Sequence, residues 1–100
     1  MFVHHVFFWL KSDNTPDEIK KFEASVSSLK SIKSVHMADV GKPASTDRPV
    51  IDTTYSYSLL LVFNSLADHD AYQVDPVHLQ FVADCSNLWE RVLIYDSESL

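Results

Sequence analysis

The nine residues Phe2 to Leu10, FVHHVFFWL, constrain the fold more than any other stretch of the chain. Their β-branched and aromatic types favour a strand. A strand sends successive side chains to opposite faces, which puts Phe2, His4, Val6, Phe8 and Leu10 on one side and Val3, His5, Phe7 and Trp9 on the other. Both faces are largely apolar, so both need cover. Helices can cover only one face of a sheet, and an apolar face left over usually marks an interface.

The next segments supply the helices. In TPDEIKKFEASVSSLKSIK, Thr15 suits an N-cap, Pro16 the first helical position, and Glu18 closes a Thr-x-x-Glu capping box. Ile19, Phe22, Val26 and Leu29 recur at spacings of three and four, giving one apolar stripe. Residues 35 to 42 read as a second strand ending near Gly41, 43 to 53 as a loop, and 54 to 63 as a third strand. Tyr55, Tyr57, Leu59, Leu61 and Phe63 alternate onto one face of that third strand. Ser65 caps a short helix to about Tyr72, Asp75 caps another through about Ser86, and residues 89 to 96 read as a closing strand.

The order β-α-β-β-α-β, with its second helical part broken in two, predicts an α+β, ferredoxin-like domain. Its sheet has four antiparallel strands with helices on one face. One hundred residues make a single domain, 1–100. Two such sheets packed through their open faces make a dimeric α+β barrel, so the pattern predicts a homodimer.

Charge and cysteine usage exclude other classes. The net charge is −6, and no basic cluster exceeds Lys20-Lys21, which argues against nucleic acid and against an anionic membrane surface. The apolar N-terminus lacks the basic segment and cleavage site of a signal peptide and is too short to span a bilayer. Cys85 stands alone, which fits a reducing compartment, so the expected location is cytoplasmic. With one glycine there is no phosphate-cradling loop. Five histidines show no H-x-H or H-x-x-x-H spacing, so no metal and no cofactor is expected.

The segments HHVFFWLK, VGKP, AYQVDPVHLQFV and LIYD resemble, in order and spacing, the stress-responsive A/B barrel (Dabb) family of dimeric α+β barrels. The resemblance covers nearly the whole chain. It extends to a plant polyketide cyclase of the family, and by that resemblance His78 matches the catalytic base, Tyr72 the pocket tyrosine, His5 the first-strand histidine and Trp89 a pocket tryptophan. Tyr57 stands where the cyclase has a further histidine, and Asp75 where members often carry one before the proline.

These matches define a candidate site. A neutral His78 in a partly dry pocket would take a proton from a carbon acid beside a carbonyl. Tyr72 would donate a hydrogen bond to the developing enolate oxygen, and His5 would polarise the substrate. Trp89, Tyr57, Phe7 and Phe81 would line an apolar wall around a small hydrophobic ligand. Against this stands the plainer reading of a capped helix start whose histidine bonds a backbone carbonyl and whose tyrosine only packs. His5, in an apolar strand, needs a partner such as Asp96. His4 is expected towards the dimer interface, and His36 and His69 at the surface. A non-enzymatic binding module and a monooxygenase of the antibiotic-biosynthesis type are the rival functions.

Overall fold

A computed structural model describes all residues from 1 to 100. Strand β1 (Phe2–Leu10) leads into helix α1 (Pro16–Ser28). Strands β2 (Met37–Gly41) and β3 (Tyr57–Phe63) come next, then helices α2 (Leu66–Gln73) and α3 (Pro76–Cys85), and strand β4 (Trp89–Glu98) closes the chain. The four strands form one antiparallel sheet in the order β2-β3-β1-β4. This is the ferredoxin-like α+β fold expected from the pattern.

The helix ends arise from local chemistry. The Thr15 hydroxyl accepts from the Glu18 backbone N–H at 3.2 Å, and the Glu18 carboxylate accepts from the Thr15 N–H at 2.9 Å, so two otherwise orphaned donors are satisfied. Ser65 caps α2 through the Asp68 N–H, and the Asp75 carboxylate caps α3 through the Val77 N–H at 2.8 Å. Pro76 at the start of α3 lacks a donor that would need satisfying.

The helices cover one face of the sheet. Phe2, Val6 and Phe8 of β1 and Leu59, Leu61 and Phe63 of β3 point into that side, where Phe22, Val26, Leu29, Tyr72, Phe81 and Cys85 complete a single core. Antiparallel register decides which strand residues share it, because directly opposed residues lie on the same face. His4 stands opposite Leu61 on one side and Asp96 on the other. His4 is thus the one polar residue buried among the core side chains, with 4% of its surface exposed.

The other face is open. Phe7 meets Tyr55 and Tyr95 edge-on at 4.9 and 6.3 Å, and His5 tilts against Phe7 at 4.3 Å. Tyr55 belongs to this face and not to that of Tyr57, because it precedes β3 and the Trp9 indole N–H donates to Thr54 at 2.9 Å, drawing this segment over the sheet. No helix is long and apolar enough to cross a membrane.

Candidate functional site

At the end of the core nearest the start of β1, five side chains converge. His4 comes from β1, Asp96 from β4, His69 and Tyr72 from α2, and His78 from the first turn of α3. The His4 ring lies 5.1 Å from that of His69 and 5.9 Å from that of Tyr72, and Tyr72 packs 4.6 Å from His78. His69 and Tyr72 are three residues apart on α2 and therefore share a helix face. The break between α2 and α3 folds His78 back onto Tyr72.

Hydrogen bonds set the tautomers. The His78 Nδ1 lies 3.0 Å from the Gln73 carbonyl oxygen. A carbonyl only accepts, so Nδ1 carries the proton and Nε2 keeps a lone pair. Burial lowers the His78 pKa below 6.5, with the Gln73 carbonyl and the Asp75 carboxylate opposing and His69 adding to the fall. The ring is therefore neutral at neutral pH, as a base must be. Tyr72 is 1% exposed, and burial raises its pKa, so its hydroxyl stays protonated, as a hydrogen-bond donor must.

His4 has a carboxylate behind it. Its Nδ1 lies 2.5 Å from Asp96 Oδ1, which assigns the Nδ1 proton to that bond and leaves Nε2 unprotonated. Burial lowers the His4 pKa, the bond to Asp96 pulls the other way, and the nearby His69 and His78 add to the fall. The chain thus presents two neutral imidazoles of fixed tautomer on either side of a buried phenol.

Other expected members stand elsewhere. His5 is on the open face, not beside Tyr72. Strand alternation puts it opposite His4, and the Asp96 partner belongs to His4. Phe7 is on the open face too. Trp89 pairs with Leu10 at the far end of β1 and packs on Phe8 and Phe81 at 5.1 and 5.7 Å. Phe81 packs into the core beside Phe22. Tyr57 stacks on Phe22, and its hydroxyl donates to the Glu23 carboxylate at 2.7 Å. Burial and that partner push its pKa up to about 12.

His69, expected at the surface, is half-buried, its ring 4.5 Å from Phe2 and 5.6 Å from Phe63. Its i, i+3 spacing to Tyr72 was the available signal.

Between them, five surface concavities take in Phe7, Tyr57 and Phe81 but none of His4, His69, Tyr72, His78 and Asp96. One of about 480 Å³ lies between α1 and the start of β3, beside Glu23, Lys42 and Tyr57. The His4–Tyr72–His78 cluster is closely packed in this state, so a ligand reaches Tyr72 only if neighbouring side chains move.

The profile of the Stress responsive A/B Barrel Domain matches residues 2–99. The chain belongs to the stress-responsive A/B barrel (Dabb) family. Among solved structures, a Dabb family protein with a ferredoxin-like fold from Mesorhizobium loti is 27% identical. The match covers 99% of this chain and 96% of that one, with a TM-score of 0.79. A dimeric ferredoxin-like protein of unknown function from Jannaschia sp. CCS1 is 25% identical, with 98% of each chain covered and a TM-score of 0.72. The hydroxynitrile lyase of Passiflora edulis shares the fold at 22% identity and a TM-score of 0.77, with 96% of this chain and 90% of that one covered. No curated protein matches the sequence. Dabb membership accounts for the fold, and the neighbours' differing descriptions leave the chemistry to the residues of each chain.

Proposed function

We propose that this Dabb protein performs acid–base chemistry on a small hydrophobic carbonyl compound, such as enolisation, cyclisation or isomerisation, using only its own side chains. The observation that carries the reading is the Nδ1–H of His78 held on the Gln73 carbonyl. It aims an unprotonated Nε2 away from the backbone while Tyr72, kept protonated by burial, packs against the ring. His78 abstracts the proton and Tyr72 stabilises the oxyanion. His4, backed by Asp96, holds a second unprotonated Nε2 near Tyr72, so Tyr72 is the one donor that this reading assigns to the substrate oxygen.

The test is turnover across a panel of small ketones, polyketide-like compounds and hydroxynitriles. The last are included because one fold neighbour is a hydroxynitrile lyase. His78→Ala should lower turnover by roughly 10²–10⁴-fold, the usual worth of a positioned base, with circular dichroism unchanged. Retained turnover in His78→Ala would sink the assignment. The close packing around Tyr72 favours a second reading, a binding module that opens for a ligand without transforming it. Compounds that bind and leave unchanged would establish that one, and oxygen uptake with a quinol would instead point to a monooxygenase.

We further infer that the chain pairs with a second copy through its open sheet face. Phe7, Trp9 and the 63%-exposed Tyr95 lie there, and the Jannaschia relative is described as dimeric.

A further inference from the structure

We propose that His4, His69 and Asp96 form a binding site for one divalent transition-metal ion of the zinc class. The three residues come from three different elements, and one donor atom of each lies within 4.8 Å of the others. This goes beyond the acid–base reading, which uses neither His69 nor a metal.

Sequence spacing hides the set, because its members are 65 and 27 residues apart, the differences between positions 4, 69 and 96. The fold assembles it. The β1–β4 register sets Asp96 beside His4, and α2 lays His69 across them with its ring packed on Phe2 and Phe63.

The hydrogen bonds of the three residues define the donor atoms and what an ion must displace. The His69 Nδ1–H donates to the Asp70 carboxylate at 3.2 Å, and His69 Nε2 accepts from the Gln73 side-chain amide at 3.2 Å, a bond that an ion at Nε2 would replace. A ligating histidine characteristically donates its other ring N–H to a carboxylate, and Asp70 already supplies that outer support. His4 Nδ1 and Asp96 Oδ1 face each other at 2.5 Å across the Nδ1 proton, so an ion held by this pair takes the place of that proton, which is released on binding.

The donor set selects the ion. Two imidazoles and one carboxylate suit Zn²⁺, Co²⁺, Ni²⁺ or Fe²⁺. Mg²⁺ and Ca²⁺ prefer all-oxygen shells, and the only thiol, Cys85, is buried elsewhere in the core. Donors about 2.1 Å from a tetrahedral ion lie roughly 3.4 Å apart, so on binding the widest pair, at most 4.8 Å apart, closes by up to about 1.4 Å, while the His4–Asp96 pair at 2.5 Å widens. Asp96 is free to make that adjustment, since its side chain is 43% exposed near the end of β4. Three protein ligands leave a position for water or for an oxygen of a small molecule.

The test uses the full, tag-free chain stripped with a chelator and titrated with Zn²⁺ by calorimetry and with Co²⁺ by visible absorption. The expected result is one ion per chain, with coordinated Co²⁺ bands. His69→Ala and Asp96→Asn should each weaken binding by more than ~100-fold, beyond the 10–100-fold that outer-shell partners carry. His36→Ala, an exposed histidine outside the cluster, should bind as the parent does. Equal Zn²⁺ affinity in the parent and His69→Ala would overturn the proposal. Should His69→Ala fail to fold, His69→Gln keeps the packing and the same comparison decides. Turnover of the chelated chain and of His78→Ala is read separately, so loss of the metal site and loss of the acid–base reading are distinguishable.

Discussion

Removing the carboxylate behind His4 tests the site's electrostatics. In Asp96→Ala the buried His4 Nδ1–H loses its acceptor. Leaving a buried donor unsatisfied costs about 1–3 kcal/mol. The Asp96 side chain is 43% exposed, so water reaches the vacated position and the lower part of that range applies, about 1–1.5 kcal/mol. For a domain of this length that lowers Tm by roughly 4–12 °C. A strand also prefers alanine to aspartate, and this gain could mask the loss in a single variant. The cycle with His4→Leu removes the ambiguity, because the strand term is common to both backgrounds. Once the imidazole is gone there is no donor to strand, so Asp96→Ala should cost under about 0.5 kcal/mol in His4→Leu. The assay is denaturant unfolding at one protein concentration, with chelator present and well above pH 6.5, where the imidazole is neutral. If Asp96→Ala costs the same in both backgrounds, the His4–Asp96 bond is not what the carboxylate contributes.

Three further outcomes are expected from the same structure. Phe22→Ala, at a fully buried ring touching Phe8, Tyr57 and Phe81, should cost about 3–5 kcal/mol, read as a fall in denaturation midpoint. Phe7→Asp puts a charge in the open face, so light scattering should find monomers where the parent gives dimers; a dimer in both would refute pairing through that face. His4, His5 and His78 all have pKa values lowered from 6.5, chiefly by burial, so between those values and 6.5 the unfolded chain binds more protons than the folded one. Stability of the chelated protein should therefore be full above pH 6.5 and decline as pH falls through the lowered values. The groups opposing that trend are Asp96 at His4, and the Gln73 carbonyl and then Asp75 at His78. A midpoint that rises on acidification across this window would contradict the burial of these rings.

The fold was legible because its signals are local. Thr15, Ser65 and Asp75 each cap the helix that begins just after them, and a cap needs only a few residues to be read. The Ile19–Phe22–Val26–Leu29 stripe needs only the helical period, and Phe22, Val26 and Leu29 are indeed fully buried. The apolar residues on both sides of β1 likewise signal a strand that needs cover on both faces. Which face goes to the helices was not legible there, since each alternating set of β1 carries apolar or aromatic side chains and one histidine.

That symmetry is why the site was only half legible. Tyr72 and His78 lie on elements whose boundaries are set by caps, so their meeting across the Asp75 turn could be read from the chain. The choice between His4 and His5 depends on a contact 92 residues away, and a one-residue change of register would exchange them. The structure resolves it by pairing His4 with Asp96 on the core side and setting His5 opposite Tyr95 on the open side. Only His4 is deeply buried, so only His4 needs an acceptor inside the fold, and β4 supplies a carboxylate at that register position. A buried imidazole and its carboxylate thus constrain each other. Shifting the β1–β4 register by one residue would set His4 opposite Tyr95 or Ser97 and part it from Asp96, so the polar pair itself helps to hold the register that brings His4 to Tyr72.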